Sequence, residues 1–318
     1  MTVIVDIVLP VFGLIAIGYA VAWSRLLDRS TGEAIADFVF TIAIPLLIFR
    51  TIATADLGGT APWRIWVPFF AAFAVVWVAG TLLVRRVFRR DARAGVVAGI
   101  AAAYGNTVLV GIPLVIAAYG DEGAIAIALI IVLHTPVLMT VSTVLIGRAE
   151  RLDGVGTVEV GAGKVARTVG LNLARNPLIL GLFFGVVWRV FGLPFDGLPA
   201  TLVNRLADVA APLALFALGM ALRRYGVRRN IPAGLMLSAL KLLVMPGLVL
   251  VLALYVVPMP PVWMKTAVIA AACPTGVNVY LVAARFRTGE ALASNAIALS
   301  TGLAVVSASL WLTVMSWF

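Results

Sequence analysis

Two stretches of this sequence combine polar side chains with residues that break helices. One reads Gly105-Asn106-Thr107-Val108-Leu109-Val110-Gly111-Ile112-Pro113-Leu114; the other reads Pro274-Thr275-Gly276-Val277-Asn278-Val279-Tyr280. Each follows an alanine triplet, 101–103 and 270–272, inside an otherwise apolar run. Proline removes a helix hydrogen bond and clashes with the carbonyl four residues earlier, and glycine lowers helix propensity further. A helix that restarts beyond such a break presents unpaired N–H groups and about half a positive charge. Two such ends facing one another would hold a carboxylate without any charged side chain. Asn106, Thr107, Thr275 and Asn278 would add hydrogen bonds, and Gly111, Pro113 and Pro274 would shape the breaks. Either stretch alone reads better as a proline kink with Asn and Thr joining helices. Two at corresponding places point to a binding site for a small organic anion.

The remaining chemistry-bearing residues exclude more than they suggest. A single cysteine, Cys273, rules out a disulfide framework or a Cys-based zinc site. A single histidine, His134, rules out multi-histidine metal sites. Paired carboxylates, a Ser/His/Asp set and HExxH spacing are all absent, so we expect no enzyme, no metal and no cofactor. Of the ionisable residues inside apolar runs, where a charge costs at least about 2.5–3.5 kcal/mol, three could take part in a coupling step, whereas Arg50 near the outer end of its span would snorkel outward and Asp37 near the cytoplasmic end would be wet. Lys241 would offset a substrate carboxylate or exchange a proton, or else snorkel to the cytoplasmic face. Asp208 would bind a cation or proton, or pair with an arginine. His134 would titrate near neutral pH, or serve as a buried hydrogen-bond donor. Together they are the candidates for coupling to H+ or Na+.

These residues need a membrane to position them. The chain is 63% apolar and 12% charged, with a mean hydropathy of +1.10, against about 45–50% and about 25% in soluble domains. Backbone in hydrocarbon must pair internally, as helices or a closed barrel, and long unbroken apolar blocks favour helices over alternating barrel strands. Blocks of about 20 residues predict ten transmembrane helices near 3–23, 34–54, 65–85, 94–118, 123–147, 171–191, 203–222, 231–257, 262–285 and 291–316. The block Val3 to Trp23 has no positive residue before it, so it reads as a first span rather than a cleaved signal. The loops after spans 1, 3, 5, 7 and 9 hold 18 basic residues, while the other face has only Arg64, Arg189, Arg205 and Lys265. This alternation places the basic loops in the cytoplasm and both termini outside. It also accounts for the net charge of +10 without nucleic acid.

The halves carry matching features. Pro10 and Pro177 lie 167 residues apart, as do Ile44-Pro45-Leu46-Leu47-Ile48-Phe49 and Ala211-Pro212-Leu213-Ala214-Leu215-Phe216. Because five spans is an odd number, the second copy would enter from the opposite side. We therefore expect an all-α membrane protein of two inverted five-helix repeats: 1–150, a cytoplasmic connection at 151–170, and 171–318. Helices 4 and 9 would be the broken ones. That plan is common in secondary transporters. A channel or a sensor on the same fold is the alternative.

At these residues the sequence resembles the auxin efflux carrier family, in its short bacterial form. The matching motifs are Asn106-Thr107 through Gly111-Ile112-Pro113-Leu114, Ala211 through Gly219, Lys241 followed by Pro246, Pro274 through Tyr280 into Ala283-Ala284-Arg285-Phe286, and Ser300-Thr301. The resemblance implies crossed broken helices 4 and 9 and a fold similar to that of the sodium/bile-acid symporters. It also implies a scaffold of helices 1, 2, 6 and 7, with helices 3–5 and 8–10 moving in an elevator cycle. The expected cargo is an organic anion such as malate, malonate or an auxin-like acid, and the expected assembly is a homodimer. The span 9 motif departs from the plant form, and the long central loop of many plant members is missing.

Overall fold

The computed structural model describes residues 4–55, 60–155, 163, 170–171, 173–225 and 231–318. Twelve helices organise them: α1 (Val5–Trp23), α2 (Arg29–Ala53), α3 (Trp63–Arg86), α4 (Ala92–Ala103), α5 (107–119), α6 (121–152), α7 (Pro177–Val190), α8 (Gly197–Leu222), α9 (Ile231–Tyr255), α10 (Pro261–Ala272), α11 (Asn278–Arg285) and α12 (Glu290–Met315). Among the described residues there is no strand, only one isolated backbone bridge. Seven helical runs are long and apolar enough to cross a bilayer, and α4, α7 and α10 are shorter apolar helices. The run Thr107–Leu152 divides at Gly120, whose φ of 59° and ψ of −146° are not helical. Most of the expected 151–170 connection, with Lys164 and Arg167, lies outside the described residues, as do Arg228 and Arg229.

Helix ends follow sequence signals. Asp28, Asp91 and Asn176 cap α2, α4 and α7 by accepting from Thr31 N (2.9 Å), Ala94 N (2.7 Å) and Leu178 N (2.9 Å), satisfying amides that have no partner within the helix. The cap at Asp28 starts α2 five residues before the expected span, because Arg29, Glu33 and Asp37, spaced four apart, form one exposed face over its first turns. Likewise α8 begins at Gly197 rather than 203.

Prolines inside the apolar runs produce a recurring distortion. A turn widened to i→i+5 hydrogen bonding spans Ile4–Val8, Val39–Ala43, Thr107–Gly111 and Leu240–Val244. Each ends two residues before Pro10, Pro45, Pro113 or Pro246. Widening the turn relieves the clash between the proline ring and the carbonyl four residues earlier. The carbonyl that Pro246 leaves without an intrahelical partner, that of Leu242, accepts instead from Ser307 Oγ (2.9 Å) and Trp311 Nε1 (2.8 Å) on α12.

Glycines set the closest helix pairs. A methyl group on Gly18 of α1 would lie 2.2 Å from the Phe216 carbonyl oxygen of α8, and one on Gly185 of α7 would lie 3.0 Å from the Phe49 carbonyl oxygen of α2. The two contacts share one spacing: 18 and 185, and 49 and 216, each differ by 167. Elsewhere, Asp153 at the end of α6 accepts from Ala92 N (2.9 Å), Arg93 N (3.0 Å) and Arg93 Nε (3.1 Å), which pins the start of α4.

Candidate functional site

The two interrupted stretches meet. Helix α4 stops at Ala103 and α5 restarts at Thr107; α10 stops at Ala272 and α11 restarts at Asn278. Between the breaks the chains cross antiparallel at Gly105 and Thr275. Asn106 N donates to Pro274 O (2.7 Å), and Gly276 N donates to Tyr104 O (3.0 Å). Backbone groups that lost their helical partners thus satisfy one another, as the apolar surroundings require. The crossing is tight. A side chain at Gly276 would lie 2.6 Å from the Tyr104 ring.

Four helix ends converge here. At the carbonyl ends, Thr275 Oγ1 donates to Ala101 O (2.9 Å), and the Lys241 ammonium donates to Ala271 O. At the amide ends, Asn106 Oδ1 caps α5 by accepting from Leu109 N (3.2 Å), while α11 has no side-chain cap. The Asn106 amide nitrogen makes no hydrogen bond among the described residues. Thr275 is fully buried, and its own N–H donates to Ser300 Oγ (2.9 Å) on α12. Gly111 keeps α5 against its neighbours: a methyl there would meet Ile127 at 3.0 Å and Cys273 Sγ at 3.2 Å. Pro113 is buried just beyond the widened turn.

Lys241 lies beneath the crossing with 0% exposure. This corrects the snorkelling alternative. The side chain turns inward to the Ala271 carbonyl at the end of α10, and its Nζ would be 3.2 Å from a methyl on Gly105. Its contacts are Ala271 O and Met245 Sδ (3.4 Å), and no carboxylate pairs with it among the described residues. His134 is 1% exposed. Its ring stacks on Tyr104 at 4.3 Å and is edged by Phe69 and Phe73 at 5.6 and 5.7 Å. Nδ1 lies 3.1 Å from Thr107 Oγ1, and Nε2 is buried without a partner among the described residues.

A sequence profile described as "Membrane transport protein" matches residues 3–312. The chain belongs to this family, that of the auxin efflux carriers. It is a multi-pass membrane transporter, not an enzyme. A Rhizobium meliloti protein named "Putative malonate transporter" is 31% identical over 96% of this chain and 94% of its own. An "Uncharacterized transporter" of Methanothermobacter thermautotrophicus is 25% identical over 98% of each chain. "Auxin efflux carrier component 8" of Arabidopsis thaliana is 24% identical over 89% of each.

Within this transporter, Asn106, Thr107, Pro274 and Thr275 gather at the crossing, and Asn278 joins them through Tyr104, whose hydroxyl accepts from Asn278 Nδ2 (3.1 Å) and lies 3.2 Å from Thr135 Oγ1. Lys241 and His134 flank it. Asp208 does not join them. Its side chain is 64% exposed and pairs with Arg50 Nη1 at 2.7 Å, tying α8 to α2. Of the roles considered for it, pairing with an arginine is the one observed. Sequence reasoning did not select Tyr104 or Ser300 as site residues. Tyr104 had a signal, an aromatic directly before the Gly-Asn break. Ser300 was marked only as part of the Ser300-Thr301 motif of the resemblance, and it is the fold that brings α12 to the crossing.

Proposed function

We propose that this protein carries small organic anions, short carboxylates such as malonate or malate, by alternating access. The observation that carries this reading is the crossing itself. Two helix amide ends and the Asn106 amide, which makes no hydrogen bond among the described residues, meet at the crossing, and beneath it lies a buried lysine that has no carboxylate partner among the described residues. An unpaired buried charge is expensive, and a bound carboxylate would supply the missing partner. The relative named for malonate supports a short dicarboxylate.

The wider architecture supports an elevator cycle. Counting α4 with α5 and α10 with α11 as single broken crossings gives ten, as two inverted repeats at 1–150 and 171–318. The glycine contacts repeated at an offset of 167 are what a pseudo-twofold axis would produce. Helices α1, α2, α7 and α8 form one set, joined by Gly18–Phe216, Gly185–Phe49 and Arg50–Asp208. The other helices form a second set, joined by Thr275–Ala101, Trp66–Leu129 and Trp311–Leu242. Each of these ties stays within one set, so the second could slide past the first with the crossing intact. His134 beside Thr107 is the candidate for proton coupling. The scaffold set would form the homodimer, and both termini would lie outside the cytoplasm.

The test is uptake of labelled malonate into proteoliposomes, with and without pH or sodium gradients. Saturable uptake that other short dicarboxylates compete for is the expected result. Non-saturating flux would mean a channel, and no uptake of any short carboxylate would refute the proposal.

A further inference from the structure

A second cavity, lined by none of the residues assigned to the crossing, lies on the arginine-rich face. It measures about 510 Å³ and opens between the end of α1, the start of α2 and the end of α8. Its floor is apolar, with Ala36, Ala217, Met220 and Ala221, and its lining includes four arginines: Arg25, Arg29, Arg223 and Arg224. Two carboxylates also line it, and both are engaged. Asp28 accepts from Thr31 Oγ1 (2.6 Å), Thr31 N (2.9 Å) and Ser30 Oγ (2.9 Å). These bonds, led by the Thr31 hydroxyl, hold its carboxyl below the ordinary value. Glu33 pairs with Arg29 at 2.7 Å and lies 3.9 Å from Arg224. Arg224 also stacks on Tyr280 of α11 at 5.6 Å. Arg25 makes no hydrogen bond, ion pair or ring contact among the described residues. Arg223 donates to the Ala22 carbonyl and has no acid partner among the described residues.

The cavity therefore combines an apolar floor with two guanidinium groups that have no acid partner among the described residues, beside the ends of helices long and apolar enough to cross a bilayer. Guanidinium forks match phosphate oxygens bidentately, and arginine-lined pockets between membrane helices suit acidic headgroups. A short dicarboxylate has no use for the apolar floor, whereas a phospholipid fills both parts. We propose that this cavity binds the headgroup and first acyl carbons of an anionic phospholipid, with Arg25 and Arg223 as its phosphate ligands. Because Arg224 and Tyr225 touch Tyr280 of α11 across the boundary between the two helix sets, an occupied cavity would brace that boundary.

The test is native mass spectrometry of the purified full chain with phosphatidylglycerol or phosphatidylcholine. The variants are Arg25→Gln/Arg223→Gln and, as a charge-matched control on the same face, Arg86→Gln/Arg89→Gln. We expect phosphatidylglycerol to be retained at least tenfold better than phosphatidylcholine, with that preference lost in the first variant and kept in the control. Equal retention of both lipids by the unaltered protein overturns the proposal even if a variant fails to fold. So does equal loss in the control, which would mean general surface charge. Displacement of the lipid by millimolar inorganic phosphate or glycerol phosphate would make the site one for free anions. An unchanged lipid preference with weakened malonate uptake would make it a vestibule of the transport route. Lipid retention is read without any transport, so this outcome and that of the carrier reading are separable.

Discussion

Asn106 does two jobs that substitutions can separate. Its Oδ1 caps α5 through Leu109 N at 3.2 Å, while its amide N–H groups are unspent among the described residues. Losing the cap costs about 1 kcal/mol of stability. Losing one hydrogen bond to a charged ligand costs about 1.5–3 kcal/mol of binding, roughly 10- to 150-fold in affinity. Asn106→Ser keeps an oxygen able to cap and removes the amide donor. Its thermal stability in detergent should match the unaltered protein, while the half-saturating malonate concentration rises roughly 10- to 150-fold. Asn106→Ala should lose the same affinity and about 1 kcal/mol of stability as well, with expression intact. Asn106→Asp keeps the cap and places a negative charge where the anion must sit, so saturable uptake should vanish. The assay is concentration-dependent uptake into proteoliposomes, with thermal unfolding measured on the same preparations. Unaltered affinity in both Asn106→Ser and Asn106→Asp would remove this residue from the site and refute the reasoning.

Four further outcomes are expected. Lys241→Met replaces a buried unpaired cation with a neutral chain of similar length, so the protein should fold at least as stably but lose carboxylate uptake; saturable uptake unchanged in that variant would mean the ammonium serves packing alone. Gly18→Ala puts a methyl 2.2 Å from a backbone oxygen and should destabilise by about 1–3 kcal/mol or more, whereas Gly13, with nothing within 4 Å of the added carbon, should accept alanine without loss in thermal unfolding. Burial alone would raise the Asp153 carboxyl, but the Ala92 and Arg93 amides and the Arg93 guanidinium outweigh it and hold it below its ordinary value. Its contribution is therefore fully present at neutral pH and is lost only as pH falls through that depressed value; Asp153→Asn should speed amide exchange at 92–95 by about 5- to 30-fold at pH 7, for about 1–2 kcal/mol, and unchanged exchange would deny the pin. A reporter fused after Phe318 should read as extracytoplasmic, and a cytoplasmic reading would mean an odd number of crossings.

Most of this fold could be read from hydropathy and helix breakers, because both are properties of local sequence. The alanine triplets followed by Gly-Asn and Pro-Thr-Gly marked both breaks correctly. Prolines 45, 113 and 246 marked where helices are disturbed, but not that the turn ahead of each widens, since that depends on how the ring clash is relieved. Partnerships were not legible. Arg50 and Asp208 are 158 residues apart, and although pairing with an arginine was one reading of Asp208, nothing in the sequence says which arginine. The depth of Lys241 could not be read either. A flexible four-carbon side chain on one turn can reach outward or inward, and the choice depends on where α10 ends. Gly18 and Gly185 look like any glycines in apolar runs until their shared offset is set beside the carbonyls they approach.

The distribution of strong contacts bears on how such a protein could move. Breaking a helix within a bilayer strands amides and carbonyls, and here the two breaks repair each other: Asn106 N on Pro274 O, and Gly276 N on Tyr104 O. Pulling α4 and α5 away from α10 and α11 would leave those groups bare in hydrocarbon, at several kcal/mol each. Under the proposed cycle the crossing would therefore have to travel as one body. On the other side, the Gly18 and Gly219 contacts bring α1 and α8 backbone to backbone, and Arg50–Asp208 ties α2 to α8. Between the two bodies, the contacts described are Tyr225 and Arg224 against Tyr280, together with apolar packing. Ring contacts and apolar surface tolerate sliding far better than paired backbone does. If the protein alternates access, the boundary through Tyr280 is where it slips. A disulfide placed across that boundary should arrest uptake, and one placed between α1 and α8 should not.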